Sequence, residues 1–167
     1  MADHKRLPET AAAGFRLLVD AADRAQLTLA APCPRLLEMM LAQCAVESGW
    51  GNSKLARTYL NFGGMKWRDF MKPYATPQHY LASDGPAIYC RFKTYSDFVA
   101  GYFFRLDEHP SYDGWRDHAA TPEDFIEFVG PIWVGLDEKR NAQYVQKVLR
   151  VYKVRTEGIL QPPEVSA

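Results

Sequence analysis

A long apolar segment that ends at two closely spaced glycines sets the strongest limit on how this chain can fold. The segment runs from Pro34 to Ser48, and Gly49 and Gly51 follow it. Proline suits the first position of a helix, because its missing N–H would have no partner there. Glycine readily adopts the left-handed conformation in which helices commonly end. The sequence therefore predicts a buried helix over residues 34–48.

One carboxylate, Glu47, falls in the last turn of this predicted helix. At 100° per residue it shares a face with Met40 and Cys44, so it should point into the core. Burial and the negative end of the helix dipole both disfavour its charge and raise its pKa. A carboxylic acid that stays protonated near neutral pH can act as a general acid. Trp50, just beyond, could exclude water or stack on a sugar ring. The alternative is a structural Glu paired with an Arg or with the backbone.

The composition is that of a single globular domain. The chain has 167 residues, 47% of them hydrophobic, and its 20 Lys and Arg balance its 20 Asp and Glu. A net charge of zero argues against general nucleic-acid binding, and no run approaches the ~20 apolar residues of a membrane span. Cys33, Cys44 and Cys90 are odd in number and include no CxxC pair. We therefore expect reduced thiols and no metal site.

The remaining patterns predict a mainly α (α+β) domain with one inserted β-hairpin. Apolar periodicity and start signals predict helices over residues 11–27, 54–58, 96–106 and 140–152, and a further helix from Thr121 to near Gly130. Short β-prone runs on either side of Ser83-Asp84-Gly85-Pro86 predict a hairpin over residues 76–93. We expect a flexible N-terminus over residues 1–8, a catalytic domain over 9–155 and a flexible tail over 156–167.

Four sequence blocks carry a resemblance to a known family. The blocks are Ala42-Gln43-x-x-x-Glu47-Ser48-Gly49-Trp50-Gly51-x-Ser53, Asn61-Phe62-Gly63-Gly64-Met65-Lys66, Tyr89-Cys90-Arg91-Phe92-Lys93-Thr94-Tyr95, and Asp137 with Tyr144-Val145-Gln146-Lys147-Val148. Their order and spacing over residues 12–152 resemble the glucosaminidases of glycoside hydrolase family 73. The resemblance implies a lysozyme-like helical fold with a small β-lobe. It also implies a peptidoglycan hydrolase that cleaves β-1,4 glycan bonds after N-acetylglucosamine without a metal or an organic cofactor.

The resemblance also implies roles for particular residues. It makes Glu47 the catalytic acid, the residue at which the helix pattern arrives independently. Aromatic and polar side chains in the matching blocks, or near them, are candidates for substrate binding, because aromatic rings combine an apolar face with a polar handle. These candidates are Trp50, Asn61, Phe62, Tyr89, Trp133 and Tyr144, whereas Phe92 and Phe98 are predicted to lie in the core.

The match is incomplete at the second carboxylate. Relatives often carry one in the β-lobe, and the corresponding position falls near His79, which is not an acid; the hairpin's own acid is Asp84, at the turn. Glycoside hydrolysis normally uses two carboxylates. Three explanations stay open: Asp84 acts from a mobile lobe, the substrate's acetamido group assists, or a single acid works alone. The third would suit a lytic transglycosylase or a muramidase-type activity.

The start of the chain and the missing acid raise further alternatives. Residues 1–8 lack the apolar stretch of a conventional signal peptide. We therefore expect synthesis in the cytoplasm and non-classical export to the periplasm or cell wall, as an antibacterial effector or a phage-type lysin. Secretion machinery and an inhibitor (immunity) protein would then be partners. Two other hypotheses for the function are an inactive glycan-binding domain and a thiol hydrolase that uses Cys44 or Cys90 with His79, His109 or His118.

Overall fold

The computed structural model describes residues 10–25 and 35–155, and the predicted α+β fold with one hairpin is confirmed. Three short 3₁₀ turns, which the sequence analysis missed, lie at Asp69–Met71, Pro110–Tyr112 and Trp115–His118. The helices are α1 (Ala11–Ala25), α2 (Arg35–Ser48), α3 (Lys54–Tyr59), α4 (Tyr95–Glu108), α5 (Pro122–Val134) and α6 (Glu138–Arg155), and the strands are β1 (Ala75–Ala82) and β2 (Gly85–Phe92).

Some predictions fall outside the described residues. They concern the two chain ends, over residues 1–8 and 156–167, and the last two residues of the helix predicted for 11–27. Pro34, the predicted helix start, and Cys33 also lie there.

Helix α2 is the centre of the helical body. It is buried on almost every side and packs against α1, α5 and α6. The buried residues of α2 are Leu36, Leu37, Met39, Met40, Leu41, Ala42, Gln43, Cys44, Ala45 and Ser48. The apolar face inferred from the sequence is therefore part of a helix that is enclosed rather than amphipathic, as expected for a helix at the core of a domain.

The end of α2 is a tight left-handed turn. Gly49, Trp50 and Gly51 all have positive φ, at 56°, 59° and 83°. Trp50 is a non-glycine residue in a sparsely allowed region, and its ring packs edge-on against Phe15 at 5.1 Å. The hydroxyl of Ser48 donates to the carbonyl of Cys44 and accepts from the N–H of Gly51. These contacts hold the last turn of α2 in place.

Helix α5 continues past its predicted end. It was expected to end near Gly130, but it runs through Pro131 to Val134, so that prediction is wrong. Gly130 serves close packing instead, because a Cβ there would lie 3.0 Å from Cγ2 of Val145 on α6. The helix ends at Gly135, whose φ is 61° and whose N–H donates to the carbonyl of Pro131.

The hairpin is antiparallel and turns over two residues. Ala82 pairs with Gly85, so Ser83 and Asp84 form the connection. Its base is anchored by Phe92, which is 3% exposed and, like Phe98, lies in the core as predicted. Among the described helices, none combines the length and apolar character needed to cross a membrane.

Candidate active site

Glu47 lies in the last turn of α2, partly buried, with one oxygen held by a tyrosine. The hydroxyl of Tyr144, on α6, donates to Oε1 of Glu47 at 2.6 Å. Within residues 10–25 and 35–155, none of the ion pairs involves Glu47. Among the described residues, therefore, no arginine neutralises Glu47.

The surroundings of Glu47 favour its protonated form. Burial is the largest influence and raises the pKa of the carboxyl group, as the helix pattern predicted. The hydrogen bond from Tyr144 and the positive charge of Lys147 act in the opposite direction without cancelling the effect. Glu47 therefore holds its proton to higher pH than an ordinary glutamate, which suits a general acid.

The other oxygen of Glu47 faces the loop 61–65, called here the glycine loop because it contains Gly63 and Gly64. A Cβ on Gly64, whose φ is 61°, would lie 4.0 Å from Oε2 of Glu47. The loop also contacts Trp133 of α5, whose Nε1 donates to the carbonyl of Gly63 at 3.0 Å. Any side chain at Gly63 would meet that indole ring at 2.9 Å. The loop thus brings backbone, without side-chain bulk, up to the carboxyl group.

A buried chain of hydrogen bonds leads from the core to Glu47. Tyr102, on α4, donates to Oε1 of Gln43 at 2.5 Å, and Nε2 of Gln43 donates to the hydroxyl of Tyr144 at 3.1 Å. Sequence reasoning did not assign Gln43 or Tyr102 to the site. For Gln43 a signal existed, since it is a polar residue one turn before Glu47 in an otherwise apolar helix. Tyr102 had none, because only the packing of α4 brings it there.

Comparison with known proteins decides the family of this chain. The family model named Glucosaminidase, described as mannosyl-glycoprotein endo-beta-N-acetylglucosaminidase, matches residues 34–156. The chain belongs to the glucosaminidase family. This confirms the resemblance seen in the four sequence blocks, and with it the assignment to the glycoside hydrolases.

Individual relatives of this glucosaminidase-family chain agree with the fold. It is similar to the glycoside hydrolase domain of FlgJ from Salmonella typhimurium, with a TM-score of 0.59, 19% identity, and coverage of 87% of this chain and 90% of that one. It is also similar to a peptidoglycan hydrolase from Sphingomonas sp. A1, with a TM-score of 0.60, 14% identity, and coverage of 92% and 99%. Protein bax of Escherichia coli K12 is 37% identical over 82 residues, which span 49% of this chain and only 27% of that protein.

Three of the predicted substrate-binding residues are buried in the structure, and their contact with a glycan stays a prediction. Asn61 is 1% exposed, and its side chain bonds the backbone of Met65 and Cys90. Phe62, 2% exposed, packs among other core rings, and Tyr89, 6% exposed, packs edge-on against Tyr80. Little of their surface is exposed. Asn61 links the glycine loop to β2 through its hydrogen bond to the carbonyl of Cys90.

The other predicted contact residues keep some exposed surface. Tyr144 contacts Glu47 directly, whereas Trp133 bonds the carbonyl of Gly63 and stacks on Tyr102 at 5.0 Å between ring centroids. Trp50 is partly buried beside Phe15. Direct binding of a glycan by these three residues remains a prediction.

The hairpin residues are not brought into contact with Glu47. His79 is exposed on β1 opposite Ile88, and Asp84 is exposed in the turn. Glu47 forms its one side-chain hydrogen bond within the described ranges with Tyr144, not with a second carboxylate. A catalytic role for Asp84 or His79 therefore remains a prediction without a supporting contact.

The thiols are poorly suited to nucleophilic chemistry. Cys44 and Cys90 are free and buried. Burial raises the pKa of Cys44 well above its usual value and that of Cys90 to about 11. Because the thiolate is the reactive form, these pKa values argue against the thiol hydrolase. In the described ranges no three His, Cys, Asp or Glu side chains come together as metal ligands would.

Proposed function

We propose that this domain hydrolyses peptidoglycan at β-1,4 glycan bonds after N-acetylglucosamine, with Glu47 as the general acid. The observation that carries the proposal is the state of Glu47, which has a raised pKa, no paired cation among the described residues, and one oxygen held by Tyr144. Membership of the glucosaminidase family supports the reaction class. The description of a similar structure as a peptidoglycan hydrolase supports the substrate.

The proposed chemistry begins with proton transfer from Glu47 to the glycosidic oxygen of the leaving sugar. The glycosidic C–O bond breaks, and the positive charge that develops at the anomeric carbon is that of an oxocarbenium ion. Water then adds to this carbon and loses a proton, or the acetamido oxygen of the substrate adds first and water displaces it. Both routes return the proton to Glu47 and yield a free reducing end.

A second candidate function is favoured because Glu47 contacts no second carboxylate among the described residues. If the 6-hydroxyl of the sugar attacks in place of water, a single acid that later acts as a base suffices, and the product is an anhydro sugar. This is the lytic transglycosylase alternative. An inactive glycan-binding domain would release neither product.

The site of action is part of the proposal. Peptidoglycan strands lie in the periplasm and the cell wall, so we propose that the domain acts there after export. An antibacterial or phage-type role, a secretion partner and an immunity protein remain predictions that depend on this location.

The test is digestion of purified sacculi followed by mass spectrometry of the muropeptides. Hydrolysis should give new reducing ends on N-acetylglucosamine. Anhydro products would show transglycosylation instead. Glu47→Gln should lower the rate by roughly 10²–10⁴-fold, the usual contribution of a general acid. The control is Glu123→Gln, an exposed acid at the start of α5. Equal rates for Glu47→Gln and the unmodified protein would refute the assignment.

A further inference from the structure

The hydrogen bonds that reach Glu47 form a single line across three helices. Tyr102 on α4 donates to Gln43 on α2, Gln43 donates to Tyr144 on α6, and Tyr144 donates to Oε1 of Glu47. Tyr102 is 0% exposed and Gln43 is 1% exposed. The inner end of the line is therefore closed to bulk water.

The direction of this line depends on Tyr102. A glutamine amide presents an acceptor on one side and donors on the other, and a tyrosine hydroxyl has one proton to donate. In the reverse direction, the amide of Gln43 would be flipped, Tyr144 would donate to Gln43, and Glu47 would donate its own proton to Tyr144. The buried hydroxyl of Tyr102 would then lose Gln43, its acceptor among the described residues. An unmade buried hydrogen bond is unfavourable, so Tyr102 holds the amide in the forward orientation.

We propose that Gln43 and Tyr102 are positioning residues that fix the direction of these hydrogen bonds, so that Glu47 delivers its proton from Oε2. In the forward direction Oε1 already accepts a proton from Tyr144 and cannot donate to it. The acid proton of Glu47 therefore sits on Oε2, which faces the loop at Gly64 rather than the core. This inference rests on the proposed role of Glu47 as general acid.

The neighbouring charges do not disturb this arrangement near neutral pH. The titratable groups that interact with Glu47 across the helices around it are Tyr144 and Lys147 on α6, Tyr102 on α4, Tyr112 in the following 3₁₀ turn, and Cys44 on α2. Burial raises the pKa of both Tyr102 and Tyr144 well above their usual values. Both hydroxyls therefore keep their protons and remain donors over the pH range in which Glu47 titrates.

The first test removes the hydroxyl of Tyr102 and keeps its ring. In Tyr102→Phe the amide of Gln43 can flip, and Tyr144 can then donate to Gln43 instead of Glu47. We expect kcat to fall roughly tenfold with little change in KM, since a hydrogen bond to a charged group is lost part of the time. The falling limb of the pH–rate profile should move to higher pH, because the carboxylate of Glu47 loses a donor.

The control is Tyr95→Phe. The hydroxyl of Tyr95 is buried and has no hydrogen-bond partner among the described residues. Its removal should leave both kcat and the pH profile unchanged.

A double variant separates direction from simple support. Gln43→Met removes the amide that competes for the proton of Tyr144, so Tyr144 can again donate only to Glu47. We expect Gln43→Met combined with Tyr102→Phe to recover most of the activity that Tyr102→Phe loses. If the two residues only support the fold, the double variant will be at least as impaired as the single one, and the proposal is overturned.

A measurement without substrate separates this proposal from the proposed function. The carboxyl group of Glu47 is titrated by carbon-13 NMR in the free protein, with Glu47→Gln used to assign the signal. An upward movement of the Glu47 pKa in Tyr102→Phe supports the hydrogen-bond line whatever the reaction is. An unchanged pKa overturns it, even if Glu47→Gln is inactive.

Discussion

At the scale of single residues, Glu47 shows how a site trades stability for chemistry. Its carboxyl group is desolvated at the C-terminal end of α2, and the positive charge of Lys147 only partly offsets this. The folded state therefore disfavours the charged form, which is the form the unfolded chain would carry at neutral pH.

The raised pKa of Glu47 predicts that Glu47→Gln gains stability by an amount that depends on pH. The folded pKa of Glu47 is raised, so the folded state binds more protons than the unfolded state between the two pKa values. The free energy of unfolding therefore falls as pH rises through that interval. Glutamine keeps an oxygen that can accept from Tyr144 and carries no charge.

We expect Glu47→Gln to unfold at a higher temperature than the unmodified protein at pH 8, and the difference to shrink as the pH falls below the ordinary glutamate range. Thermal unfolding followed by circular dichroism checks both. Glu123→Gln, at an exposed site, should show no such trend. A Glu47→Gln protein that is less stable at pH 8 would contradict the prediction.

At the scale of elements, the site depends on a loop and a hairpin that play different parts. The loop 61–65 is tied down by the three side-chain hydrogen bonds of Asn61 and covered by Trp133. The hairpin is anchored at its base by Phe92, whereas His79 and Asp84 lie exposed further along it. The loop therefore shapes the surroundings of Glu47, and the hairpin's polar residues stand apart from it.

This difference predicts that the hairpin's polar residues matter little for the chemical step. Asp84→Asn and His79→Ala should each change the rate on labelled peptidoglycan by less than about tenfold, because neither side chain contacts Glu47. A general base would be worth on the order of 10²–10⁴. A loss of that size at Asp84 would restore a two-carboxylate mechanism, and a loss confined to His79 would assign that residue a role of its own.

At the scale of the whole molecule, the hairpin packs closely against the helical body at Gly101. A Cβ on Gly101 of α4 would lie 2.8 Å from Cε1 of Phe92 and 3.3 Å from Cβ of Tyr74. Both neighbours are packed against the core. The absence of a side chain at Gly101 therefore lets β2 lie directly on α4.

Gly101→Ala should lower the free energy of unfolding by about 1–3 kcal/mol, the usual effect of overpacking. Helix propensity alone predicts the opposite sign, since alanine is favoured over glycine in a helix by roughly 0.5–1 kcal/mol. Urea unfolding measures the difference, and Ala100→Gly, at the adjacent partly buried position, reports the propensity effect without the clash. A stabilised Gly101→Ala would show that the lobes do not meet so closely.

Local sequence patterns determined much of this protein. The apolar run and the glycines after it predicted α2 and its end, the turn residues predicted the hairpin, and Thr121 with Pro122 predicted the start of α5. Glu47 could be found in the same way, because a carboxylate among apolar residues stands out within a single helix. These features depend on residues a few positions apart, which is the range over which backbone preferences and helical periodicity act.

Tertiary structure decided what depends on residues far apart in the chain. Gly130 was predicted to end α5, but the helix continues to Val134 and Gly130 packs closely against Val145 of α6. Asn61 and Phe62 were predicted to contact a glycan, and packing against residues far away in the chain buries both. The line from Tyr102 to Glu47 links α4, α2 and α6. Its direction follows from which buried groups can find partners, and that is settled only when the helices pack together.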